Sequence, residues 1–140
     1  MLKPAPHLLL AARADTAGQI QKRLEARFGT LLCRRVATRS ELLQALDDGG
    51  WHLAISELAL DDFNAIDLVT WSRERGIQLP VILIAESGVE DIALQCLERG
   101  IDQCVLNNAG NLRRLPALVE TLLKRVASER ERQLIEDELR

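Results

Sequence analysis

Aromatic side chains are scarce in this 140-residue sequence: Phe28, Trp51, Phe63 and Trp71, with no tyrosine. Platforms on which nucleic-acid bases stack need more of them. A net charge of −3 also leaves no basic footprint for a polyanion, so no nucleic-acid partner is expected. Histidine occurs only as His7 and His52, and cysteine only as Cys33, Cys96 and Cys104, with no Cys-x-x-Cys spacing. Structural zinc takes four close ligands, which this set does not supply, so neither metal nor cofactor is expected. An odd, unpatterned set of cysteines without a signal peptide reads as reduced thiols in a cytoplasmic protein. The longest amino-terminal apolar run, Leu8–Ala12, is too short to cross a bilayer or form a signal core, and no membrane partner is expected. Gly-x-Gly-x-x-Gly, Walker-type and Gly-x-Ser-x-Gly motifs are all missing, which leaves an enzyme with little to stand on.

The composition, 47% hydrophobic and 28% charged, is that of an ordinary globular domain. Its length suits a single domain that buries about two-thirds of its unfolded surface. Five short apolar runs read as strands: His7–Ala12, Leu31–Val36, Leu53–Ile55 leading to Ser56 and Glu57, Pro80–Ala85, and Asp102–Leu106. Between them lie helical patterns. Asp15 or Thr16 caps a helix over Thr16–Phe28, with Ile20, Leu24 and Phe28 on one face. Thr38 or Ser40 caps a second helix, with Leu42, Leu43 and Leu46 inward. A third spans about Ala65–Arg75. Glu86 or Ser87 begins a fourth, containing Ile92, Ala93, Cys96 and Leu97. Asn111 caps a fifth, which tolerates Pro116 in its first turn.

Alternating strands and helices with short connections predict a parallel sheet covered on both faces, a three-layer doubly wound sandwich. The run Leu53–Ile55 suits a mid-sheet strand, and Glu57 emerges at its carboxyl edge, where open α/β sheets place their chemistry. Both histidines fall at strand starts on the opposite edge and read as surface or packing residues. The pattern divides the chain into a domain at 1–127 and an extension of the last helix at 128–140. In that extension Ser128–Gln133 (SERERQ) is too polar for a core. The pairs Glu120–Lys124, Arg132–Glu136 and Glu136–Arg140 support an exposed helix. A frayed tail remains open beside a projecting helix that pairs with its copy or leads into a further domain beyond Arg140.

The stretches WHLAISELAL (51–60) and PVILIAESGVEDIALQCLERGIDQCVLNN (80–108) carry a resemblance. The chain resembles the receiver (CheY-like) domain of two-component response regulators over about 7–126. That resemblance implies a flavodoxin-like (βα)5 fold with strand order 2-1-3-4-5 and a role in phosphorelay-type signal transduction. It also implies positions for a magnesium-binding acidic pair, a phospho-acceptor, a Thr or Ser, and a lysine. These fall here on Ala12 and Arg13, on Glu57, on Ala85 (followed by Glu86) and on Asn107. The family's aromatic switch falls on Cys104.

Magnesium requires hard oxygen ligands in a near-octahedral shell, which a methyl group and a guanidinium cannot provide. A glutamate also sets a nucleophile one methylene further out. The sequence therefore reads as a pseudo-receiver that is not phosphorylated. Arg13 is expected either to pair with Glu57 or to extend into solvent. Two alternatives stay open: a phospho-acceptor at Glu57, Ser56, Asp61 or Asp62, and a small-ligand site among Ala12, Glu57, Ala85 and Asn107. The resemblance further implies dimerisation through the face Val89–Val126, whose charges Glu90, Asp91, Glu98, Arg99, Asp102, Arg113 and Arg114 either pair across a two-fold axis or are simply solvated.

Overall fold

Side chains of a strand alternate between the two faces of a sheet, so a continuous apolar run is stable only where helices cover both sides. The structure, a computed structural model, describes residues 6–29 and 31–139. It contains β1 (His7–Ala11), α1 (Ala14–Phe28), β2 (Leu32–Val36), α2 (Arg39–Asp48), β3 (Leu53–Glu57), α3 (Ala65–Glu74), β4 (Val81–Ala85), α4 (Glu90–Glu98), β5 (Gln103–Leu106) and α5 (Ala109–Glu138). All strand pairings are parallel, in the order β2-β1-β3-β4-β5. The parallel sheet is the one expected from the alternation, and its order is the flavodoxin-like one that the receiver resemblance implies. The tail expected at Met1–Pro6 lies outside the described residues except for Pro6, as does Arg140.

On one face Leu9, Ala54 and Leu83 pack with Leu42, Leu46, Leu68 and Cys96 from α2, α3 and α4. On the other, Leu8, Leu10, Ile55 and Ile82 pack with Ile20, Leu24, Leu115 and Val119 from α1 and α5. Leu8, Leu9, Leu10, Leu53, Ile55, Ile82 and Leu83 are fully buried. Each contributes roughly 2 kcal/mol of transfer free energy. Strand β2 lies at the edge, as its Arg34-Arg35 pair suggests, and leaves Leu32 and Arg35 exposed. Burial, followed by the nearby Glu25 carboxylate, raises the Cys33 thiol to about 11.

Several boundaries differ from expectation. Helix α1 starts at Ala14, with Arg13 at its cap position and no side-chain cap, rather than behind Asp15 or Thr16. Of the two candidates for α2, Thr38 is the cap, in a reciprocal box with Glu41. Asn64 and Asp67 form the same device at α3. Helix α4 starts at Glu90, not near Glu86 or Ser87, and has no side-chain cap. Only Ala93 and Cys96 of α4 are buried, while Ile92 and Leu97 are exposed. Helix α5 begins at Ala109 because the Asn108 side chain accepts the Asn111 N–H, so Asn111 is inside the helix. Pro116 therefore lies in the helix interior rather than the first turn. The hydrogen bond it cannot donate is offset by burial of Leu112, Leu115, Pro116 and Val119.

Beyond the sheet α5 continues as a solvated helix. Lys124 pairs with Glu120 at 3.2 Å as expected, but the next pair is Arg125–Glu129 at 3.9 Å, not Arg132–Glu136. The pair Glu136–Arg140 lies outside the described residues. Asp102 is committed within the domain, accepting the Val81 N–H at 2.8 Å and Arg125 Nη2 at 3.0 Å.

Candidate functional site

At the carboxyl edge, Ser56 of β3 is in register with Ala11 of β1, and Glu57 with Ile84 of β4. Glu57 thus stands just past the last pair that β1 makes with β3. The chain turns there from Ala12 into α1. The Arg13 N–H points to Glu57 Oε1 at 3.4 Å, and Arg13 Nε lies 3.8 Å from Oε2. The carboxylate therefore sits at the positive end of α1, where the helix dipole favours it. The Glu57 side chain is 14% exposed but that of Arg13 is 72% exposed. Both alternatives for Arg13 are thus partly realised: it pairs with Glu57, loosely, while most of its side chain meets water. A pair of this kind is worth under about 1 kcal/mol.

Among the described residues, none of the remaining positions hydrogen-bonds to the Glu57 side chain. Ala12 and Ala85 are buried methyl groups. The Asn107 N–H donates to the Ala85 carbonyl at 2.7 Å, and Asn107 Nδ2 to Glu86 Oε1 at 2.8 Å. Asn107 thus ties the ends of β4 and β5 together and is spent on Glu86. Ser56 is completely buried, and its hydroxyl is spent in donating to the Glu57 carbonyl at 2.7 Å. In the following loop, Leu60 N–H bonds to Phe63 O and Ala65 N–H to Leu58 O. This closed turn carries Asp62 to the start of α2, where its Oδ1 accepts the Arg39 N–H at 2.7 Å. Asp61 is exposed on the same turn.

Two participants make contacts that the sequence did not signal. Arg35 reads there only as half of a polar edge pair, yet its Nε donates to the Ala12 carbonyl at 3.0 Å. A second guanidinium is thereby fixed beside the strand end. Arg35 also faces Glu41, whose carboxyl lies below its usual range, held there first by the Ala37 N–H. Glu86, next to Ala85, becomes the acceptor for Asn107. No spacing rule signals either contact, because one acceptor is a main-chain oxygen and both bonds join distant segments. Among the described residues, no group of three or more His, Cys, Asp or Glu side chains is arranged to hold a metal.

No protein-family model matches the sequence, and no curated protein does. Solved structures do. The signal receiver domain of a putative LuxO repressor protein from Vibrio parahaemolyticus superposes with TM-score 0.78 at 23% identity, covering 95% of this chain and 98% of that one. A CheY-like response regulator receiver domain from Methanospirillum hungatei gives TM-score 0.76 at 17% identity, over 90% and 99% of the two chains. NtrX from Brucella abortus gives TM-score 0.81 at 18% identity over 95% of this chain, but this chain covers only 30% of NtrX. The fold is that of response-regulator receiver domains.

Proposed function

We propose that, on this receiver fold, the chain works as a signalling module that acts by protein–protein contact and self-association without being phosphorylated. The observation that carries the reading is the carboxyl edge itself. At the positions that the receiver resemblance implies for cation and phosphoryl ligands, Ala12 and Ala85 offer buried methyl groups rather than oxygens, and Arg13 and Arg35 bring positive charge to the same edge. Asn107, bonded to Glu86, has no positive charge with which to neutralise an acyl phosphate.

Self-association is supported by the face Val89–Val126. Ile92, Leu94 and Leu97 on α4 are 47%, 58% and 38% exposed, which is unusual for three large apolar side chains on a nine-residue helix. On the extension at 128–140, Ile135 and Leu139 lie one turn apart and are 52% and 82% exposed. That extension serves as a connector to a further domain, a reading supported by the small fraction of NtrX that this chain spans. No described helix is long and apolar enough to cross a membrane, and the module is read as cytoplasmic.

Incubating the full chain with a small phosphodonor and magnesium, followed by intact mass measurement, tests this reading. An unchanged mass is expected. A phospho-adduct overturns it, and fragmentation then assigns the acceptor among Glu57, Ser56, Asp61 and Asp62.

A further inference from the structure

The face of α5 that packs on the sheet continues past the last strand. Leu115, Val119 and Leu122 are buried against the sheet, and the same helical face then presents Val126, Arg130 and Gln133 to open space. Beneath them lies a groove of about 670 Å³ with Ile77, Leu79 and Pro80 on its opposite wall. A second hollow of about 710 Å³ adjoins it, sharing Ile77, Gln78 and Arg130 and reaching His7, Trp51 and His52. Together they run under the amino-terminal ends of β5, β4, β3 and β1. This edge is opposite to the one that carries Glu57.

The groove mixes apolar side chains (Val69, Ile77, Leu79, Pro80 and Val126) with four arginines and three carboxylates. Arg125 is neutralised by Asp102 and Glu129. Among the described residues Arg73, Arg130 and Arg132 form no ion pair, and Glu136 is the lone unpaired carboxylate of the lining. Arg73 lines the groove, its guanidinium lying in the space that a Cβ on Gly100 would occupy. Unpaired arginines projecting from two different elements, α3 and α5, converge on one apolar trough.

The geometry points to a docking groove for a short acidic segment of a partner protein, with apolar side chains on the floor and carboxylates at Arg73, Arg130 and Arg132. Strands about 4.8 Å apart put roughly 14 Å between the ends of β5 and β1, the span of about four or five extended residues. Guanidinium groups take carboxylates through paired N–H bonds. A nucleic-acid backbone fits poorly, because it offers no apolar side chains to Ile77, Leu79 and Pro80. The inference does not depend on whether the opposite edge is phosphorylated.

The test is a titration of the isotopically labelled full chain, followed by amide chemical shifts. The probes are a six-residue peptide alternating leucine and glutamate, its leucine–glutamine counterpart, and inorganic phosphate. The glutamate peptide is expected to move resonances at Ile77, Gln78 and Val126, and to bind at least tenfold more weakly to an Arg73→Gln/Arg130→Gln variant. Should that variant lose its native spectrum, Arg132→Gln alone is expected to weaken binding severalfold. Equal binding of the glutamine peptide, saturation of the same resonances by phosphate alone, or no groove shifts with any probe would each overturn the proposal.

Discussion

Arg35 Nε and the main-chain oxygen of Ala12 are 3.0 Å apart, joining the ends of two neighbouring strands by a side chain. Arg13, one residue further along, holds Glu57 at 3.8 Å with most of its length in water. The two arginines look alike in sequence and differ in what they hold. Arg35→Ala should lower stability by about 1 kcal/mol, the usual worth of an internal hydrogen bond. Arg13→Ala should cost no more than about 0.5 kcal/mol. Urea unfolding of both variants checks the ranking, and a reversed order would mean that Glu57 depends on Arg13 for its position.

Leu94 is 58% exposed and adds nothing to the core of the single chain. Leu94→Ser is expected to leave the unfolding midpoint within about 0.5 kcal/mol of the parent. It is also expected to reduce the mass seen by light scattering. A mass that stays unchanged takes α4 out of the association surface.

His52 gives the domain a pH dependence with a definite sign. Its Nδ1 accepts the His7 N–H at 3.0 Å, which requires that nitrogen to be unprotonated. Burial, then the charges of Arg130 and His7, lower its pKa from the ordinary value. The unfolded chain takes up the proton first, near pH 6.5, and the folded chain only further down. Stability is therefore full above about pH 7 and falls as the pH drops through this range. His52→Gln should flatten the thermal midpoint between about pH 7 and 5. An unaltered slope would assign the effect to the carboxylates Glu41 and Glu120, whose pKa values are also lowered in the fold.

Gly100 has φ +110° and Arg73 directly over it. Gly100→Ala is expected to cost about 1–3 kcal/mol. Adding Arg73→Ala should recover the steric part of that loss and leave the backbone part. Full recovery would mean that the backbone angle is not the constraint.

Asn108→Ala should cost about 1 kcal/mol, because its side chain satisfies the Asn111 N–H at the start of α5. Calorimetry on this variant and on Asn111→Ala separates the two positions; the second is expected to change little. The comparison also indicates what the sequence could convey. Runs such as Leu8–Leu10 and Val81–Ala85 admit one burial pattern, so strands and core were readable from local chemistry, whereas the strand order came from the receiver resemblance. Asn107-Asn108-Ala109-Gly110 offers two asparagines that can each cap, and only the neighbouring β4 end, through Ala85 and Glu86, decides which one does. The same limit hid Arg35, whose acceptor is a main-chain atom more than twenty residues away in the chain. The substituted positions Ala12, Arg13, Glu57, Ala85 and Asn107 were legible as residue types. Their partners depended on tertiary geometry.

Helix α5 is 30 residues long, which makes it a rod of about 45 Å. Its first half is fixed by burial of Leu112, Leu115, Val119 and Leu122, whereas the turns after Val126 overhang the domain by about 18 Å. Such a body is a lever with its fulcrum near the Asp102–Arg125 ion pair. A tilt of about 10° at that point would carry the far end through about 3 Å. An occupant of the groove beneath the overhang would bear on that arm, and such a tilt would be read at the carboxyl-terminal tip.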